Sequence, residues 1–267
     1  MRNRPVFGVL FFLLCVAAFF APGLSWARDD LVVGFFAFEP HAMRGESGEP
    51  AGAAVEYLSK HIAPHMDASV LIQGPIPFSR LMFRFEEGWY DAVLLLARTR
   101  ERQGRFVYPP EPFGFMRPAL LVRSGALTGG LTRPEQVDGM RIGFVQGAWI
   151  VPFLRRSKAR FDLIAGGYAT EKNLRKFVQG RVDAVFSPDR ASIVYGAGKA
   201  EVERFRVVDV PGEKVGLFTV FHPDVPDAVV RDYARALERA RSQVDYETVL
   251  DGYLEPSESS GPDSSQP

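Results

Sequence analysis

Two stretches of this chain repeat one pattern: Gly-Trp-Tyr-Asp-Ala-Val at 88–93 and Gly-Arg-Val-Asp-Ala-Val at 180–185. Before the first, Pro77 sits where a helix starts, and Leu81, Met82 and Phe85 fall at helical spacing on one face. Gly88 ends that helix, because glycine takes the left-handed C-terminal conformation with no Cβ penalty. Asp91 then opens the run Ala-Val-Leu-Leu-Leu, the signature of a strand buried on both faces of a parallel sheet. A second match precedes each repeat, Leu-Val-Val-Gly-Phe at 31–35 and Met-Arg-Ile-Gly-Phe at 140–144. Each half therefore has an opening strand and, later, a helix, a glycine and an Asp-Ala-Val strand. Two similar α/β lobes facing each other would put two sets of strand ends around one cleft.

The segments in between fit that plan. Strands are predicted over 31–36 and 68–72 and helices over 51–62 and 77–87, giving β-α-β-α-β and a parallel sheet with right-handed crossovers. Residues 106–116, rich in Pro and Gly, read as irregular, and 118–123 as a strand carrying the chain into the second unit. There, helices are predicted over 132–138, 148–156, 171–178 and 188–195, and strands over 140–145, 161–165, 183–186, 205–210 and 215–221. A long amphipathic helix over 227–240 and a shorter one over 246–254 follow.

The ends are of different composition. Residues 1–27 run from Arg2 and Arg4 through an apolar stretch to Ser25 and Ala27, the order of a cleaved secretory signal peptide. Its removal takes away Cys15, the sole cysteine, and two of the 32 basic residues, leaving 30 against 32 acids. Such a mature chain is thiol-free and near neutral, with no basic excess for nucleic acid or an anionic membrane surface. Residues 256–267 carry no large apolar side chain and read as a disordered tail.

The candidate chemistry lies where strand 91–96 ends. Arg98, Thr99, Arg100, Glu101 and Arg102 follow it, while the helix start before it carries Phe78 and Arg80. Open α/β sheets bind ligands at the carboxyl ends of their strands, so Phe78, Arg80, Thr99 and Arg102 form a candidate anion-reading wall. No metal or other cofactor is expected: His61 and His65 have ligand spacing, but Pro64 stands between them. Gly-Ala-Gly-Lys at 196–199 lacks the rest of a phosphate loop, and there is no Gly-x-Ser-x-Gly and no zinc signature. Asp91 and Asp183, at strand starts away from the carboxyl ends, read as structural turn residues.

In order along residues 30–254, these features resemble the family 3 extracellular solute-binding proteins, the periplasmic polar amino acid receptors of ABC importers. The resemblance rests on Val33-Gly34 followed by Phe38 and Pro40, Gly52, Phe78, residues 88–93, Thr99 to Arg102 before Phe106, 120–123, Arg141 to Gly147, and 180–185. It implies a two-lobe type II binding-protein fold, each lobe a mostly parallel sheet flanked by helices. Lobe one is expected over 29–115 plus 217–254 and lobe two over 117–212, joined by two hinge crossovers and closing on a ligand. It also implies that Arg102 clamps a ligand carboxylate and that Phe38 and Phe78 sandwich the ligand; aromatic composition alone fits a core role equally.

This sequence departs from the family elsewhere. The strand end that should carry a hydroxyl reads Leu94, Leu95, Leu96, Ala97, and Ala148 follows Gly147 where Ser or Thr is usual, leaving backbone N–H groups to hold an anion. Trp149 either leans into the cleft or packs between helix and sheet. Asp189 is the nearest match to the ammonium-binding acid and is equally placed to cap the helix that follows. Arg80 adds a cation. The expected ligand is therefore a small polar solute with a carboxylate and a weak requirement for an amine. The implied role is a monomeric periplasmic receptor serving an inner-membrane ABC permease. Two alternatives stand beside it: a dehydratase-like enzyme on the same fold, with Glu39, His41 or Asp189 as acid or base, and a sensing partner of a membrane receptor.

Overall fold

The computed structural model describes residues 30–146, 150–164 and 169–254. The predicted signal peptide, the tail from residue 256, and Gly147, Ala148 and Trp149 lie outside the described residues. Twelve strands are described: β1 Asp30–Gly34, β2 Met43–Arg44, β3 Pro50–Ala51, β4 Ser69–Gln73, β5 Ala92–Ala97, β6 Gly114–Met116, β7 Ala119–Arg123, β8 Arg141–Val145, β9 Arg160–Ile164, β10 Ala184–Ser187, β11 Phe205–Asp209 and β12 Val215–Phe221.

They form two five-stranded sheets, β4-β1-β5-β12-β6 and β11-β7-β10-β8-β9, and a small β2-β3 hairpin. In the first, β1 runs parallel to β4 and β5, while β12 is antiparallel to β5 and β6. In the second, β8 is parallel to β9 and β10, while β7 is antiparallel to β10 and β11. The chain passes from the first sheet to the second between β6 and β7, and back between β11 and β12. The result is a mixed α/β protein of two sheet-centred lobes, the arrangement the repeats implied.

Both faces of each sheet are covered. In the first lobe, one face carries helices Ala53–Glu56 and Asp227–Gln243, with Leu31, Val33, Tyr57, Leu94, Tyr233 and Leu237 in its core. Helix Phe78–Glu86 covers the other face through Leu81 and Phe85, against Tyr90, Val93 and Phe106. Each fully buried large apolar side chain contributes roughly 1.5–3 kcal/mol, so these layers carry the stability of a chain whose only cysteine is Cys15.

The two repeats end their helices in the same way. Gly88 and Gly180 have φ of 74° and 72°, donating to Phe85 and Phe177, and the next residues donate to Arg84 and Lys176. This paired 5→2 and 6→1 bonding satisfies the last helix carbonyls and needs a left-handed residue, hence glycine.

Several elements differ from the sequence reading. Residues 106–116, expected to be irregular, contain β6, a three-residue edge strand specified by its pairing with distant β12. The helix expected over 148–156 is described as Pro152–Arg155; Val151 before it is extended, as the residue preceding proline must be. The helix expected from Pro188 begins at Arg190 and runs to Lys199. The β2-β3 hairpin and the single turn Arg100–Gln103 are too short to leave a periodic signal.

Candidate functional site

The carboxyl ends of β1 and β5 and the start of helix Phe78–Glu86 meet on one edge of the first lobe. There Phe36 stacks on Phe38 at 6.1 Å and meets the edge of Phe78 at 5.0 Å. The Arg102 guanidinium lies 5.7 Å over the Phe78 ring, and its Nη1 donates to the Ala97 carbonyl at 3.2 Å. That bond uses one of five guanidinium donors, so others remain for an anion, in the fork geometry that suits a carboxylate. Phe78 is 42% exposed, and Arg102 is half-buried.

The other predicted residues of this lobe are placed differently. Thr99 caps Arg100–Gln103, its hydroxyl accepting from the Arg102 N–H at 3.3 Å, so its acceptor is engaged in fixing Arg102. Arg80 is exposed in the first turn of its helix. Arg98, at the strand end, is exposed and already engaged: it lies 4.4 Å over Phe218 and donates to the Pro109 carbonyl at 2.6 Å.

From the second lobe, the carboxyl end of β10 delivers Asp189. It caps helix Arg190–Lys199, with Oδ2 accepting from the Ser192 N–H at 2.7 Å, and is only 2% exposed. The same oxygen meets His41 Nε2 of the first lobe at 2.9 Å, and His41 Nδ1 lies 2.5 Å from the Tyr246 hydroxyl. His41 is fully buried and stacks on Phe38 at 4.9 Å. Burial, then the charge of Asp189, hold the Tyr246 hydroxyl well above the usual tyrosine value, so it stays protonated. A continuous line of groups thus runs from Arg102 over Phe78, Phe36, Phe38 and His41 to Asp189.

Helix Arg190–Lys199 makes further contacts across the lobes. Lys199 Nζ pairs with Glu39 at 3.2 Å, and hydrogen bonding to Glu39 raises the lysine pKa. Tyr195 Oη lies 3.6 Å from the Met43 sulfur. His41 and Tyr246 are the partners that the sequence reading of Asp189 lacked. The first is signalled only by Phe-x-Pro-His after β1, and the second, 205 residues from His41, by nothing local. Gly147, Ala148 and Trp149 fall outside the described residues. Among the described residues no cluster of three His, Cys, Asp or Glu side chains can hold a metal ion, and no helix is long and apolar enough to cross a membrane.

Two α/β lobes, joined by paired crossings and meeting where strand ends converge, define the solute-binding-protein class of fold. No protein-family model matches the sequence, nor does any curated protein. Solved structures do match. An ancestral cationic amino acid solute-binding protein, AncCDT-1, superposes with a TM-score of 0.68 at 18% identity, covering 85% of this chain and 96% of that one. A second structure of AncCDT-1, there described as a precursor of cyclohexadienyl dehydratase, gives 0.64 at 17% identity over 85% and 96%. The substrate-binding protein of an amino acid ABC transporter gives 0.63 at 13% identity, over 85% of this chain and all of the other. The chain has the two-lobe fold of these amino acid solute-binding proteins.

Proposed function

We propose that this protein is an exported solute receptor. It captures a small polar, carboxylate-bearing solute between its lobes and delivers it to an inner-membrane ABC permease, working as a monomer in the periplasm after loss of residues 1–27. The observation that carries this reading is Arg102, held over Phe78 at the lip of the first lobe with guanidinium donors to spare. Phe38 and Phe78 flank the solute, and Arg80 adds long-range attraction.

Binding rather than catalysis is favoured by the state of the candidate acids and bases. Glu39 is paired with Lys199, and His41 and Asp189 are buried against each other. The test is native mass spectrometry of freshly purified protein for a retained molecule, followed by thermal-shift screening against carboxylates, amino acids and polyamines. A specific binder at 100 times its Kd adds about 2.7 kcal/mol to stability, so an authentic solute raises the melting temperature by several degrees. Turnover of prephenate or arogenate by the purified protein would replace this reading with the dehydratase one.

A further inference from the structure

His41 and Asp189 come from different lobes and are among the most buried polar groups described, at 0% and 2% exposure. A buried carboxylate needs a cation or hydrogen-bond donors to offset its lost hydration. In a cleft that opens to admit solute, the cationic group of a solute is the natural external source. Here the chain supplies the partner itself. Nε2 of His41 lies 2.9 Å from Asp189, and the Tyr246 hydroxyl at Nδ1 fixes the ring. Tyr246 is wedged between Phe113 at 5.0 Å and Tyr57 at 5.5 Å, so the imidazole has little freedom to swing away.

We propose that His41 is the specificity-determining residue of the cleft: it occupies Asp189 from within, so the solute binds as an anion without an ammonium group. The bond does not depend on the charge of the ring. A neutral imidazole accepts from Tyr246 at Nδ1 and donates from Nε2, and an imidazolium donates from both nitrogens. A solute amine reaching Asp189 must displace a preorganised internal donor, whereas an anion reaching Arg102 displaces none. A second consequence is that the lobes hold together before solute arrives, because the protein itself makes the contacts that bridge them, His41 with Asp189 as the buried one and Lys199 with Glu39 as the exposed one.

The proposal rests on the receptor reading for its ligand class and stands apart from it in the lobe contact, and two measurements keep these separate. The first is small-angle scattering of solute-free protein, wild type against His41→Phe, which keeps a ring between Phe38 and Tyr246 and removes both nitrogens. The wild type is expected to scatter as this structure does and the variant to expand; His41→Gln, which restores an N–H donor, is expected to remain compact. Identical curves for wild type and His41→Phe overturn the proposal. The second is calorimetry with glutarate and L-glutamate, which differ only by the ammonium group. Wild type is expected to prefer glutarate by at least tenfold, and His41→Phe to lose that preference by gaining affinity for L-glutamate. Equal wild-type affinity for the two overturns the proposal. If neither compound binds either protein, the carboxylate-receptor reading fails while the scattering result still decides the role of His41. Should His41→Phe not fold, His41→Ala, which removes volume instead of adding it, carries the same measurements.

Discussion

Asp91 and Asp183 occupy the same place in the two sheets. Asp91 Oδ2 accepts from the Val32 N–H at 2.8 Å and Asp183 Oδ2 from the Arg141 N–H at 2.8 Å. Each aspartate returns its own N–H to the carbonyl of the same residue, at 2.9 and 2.8 Å. The carboxylate therefore fastens the start of β5 to β1, and of β10 to β8, where the ladder has not yet begun. The two sites differ in burial: Asp91 is 6% exposed, whereas the Asp183 side chain is 44% exposed and paired with Arg141 at the surface.

That difference sets the first prediction. Asp91→Ala leaves the partly buried Val32 N–H without its carboxylate partner and is expected to cost about 1–3 kcal/mol, with Asp91→Asn milder because its amide oxygen still accepts. Asp183→Ala frees groups that water can reach and is expected to cost less than about 1 kcal/mol. Urea unfolding midpoints check the order; equal losses would mean the strand starts are held by something else.

A pH dependence follows from the exposed member of the pair. Hydrogen bonds from the Arg141 side chain and backbone hold the Asp183 carboxyl below the ordinary aspartate value. Glu56 is lowered too, by the Tyr253 hydroxyl and Lys60. A folded value below the unfolded one means the contribution is complete above the unfolded value, near pH ~4, and is lost as pH falls through the folded value. The urea midpoint is thus expected to drop from about pH 5 to about pH 2, and Asp183→Asn to drop less over that window while matching the wild type more closely at the acid end.

The opening strands carry the other shared device. A Cβ on Gly34 would lie 2.6 Å from Leu81 Cδ1 and 3.1 Å from the Tyr90 ring, and one on Gly143 would lie 2.8 Å from Asn173 Oδ1. Each glycine lets the helix before the Asp-Ala-Val strand settle directly on the sheet. Gly34→Ala is expected to destabilise by roughly 1–3 kcal/mol through overpacking, and Leu81→Ala in the same molecule to recover part of that loss, a coupling a double-mutant cycle measures. Gly129→Ala, whose methyl meets nothing within 4 Å, is expected to stay within about 0.5 kcal/mol of wild type.

These shared devices explain what the sequence disclosed. Gly34, Gly88, Asp91 and their counterparts Gly143, Gly180 and Asp183 each answer a local steric or hydrogen-bonding demand, so they recur with their neighbours and are visible as a pattern. The contact of His41 with Tyr246 and Asp189 spans 205 and 148 residues and obeys no local rule. A buried histidine there looks like any other until the lobes are folded against each other. The sequence reads Thr99 as part of the candidate wall; in the structure its hydroxyl caps the turn that carries Arg102, a role that a four-residue helix is too short to announce.

The same reasoning separates the two arginines of the candidate wall. Arg102 is fixed by the Ala97 carbonyl and the Phe78 face, so its orientation is set before an anion arrives, and little side-chain entropy remains to be lost on binding. Arg80 is exposed, and its attraction for an anion is screened by water and salt. Arg102→Lys keeps the charge but removes the planar fork and the stacking on Phe78. Losing a charge-assisted hydrogen bond worth about 1.5–3 kcal/mol corresponds to roughly a ten- to hundredfold weaker Kd for glutarate by calorimetry. Arg80→Gln is expected to weaken it by less than about threefold, and by less still as salt is raised. Were Arg80→Gln the more damaging change, the anion would sit at the helix start and not at the end of β5, and Arg102 would be holding Phe78 in place instead of the solute.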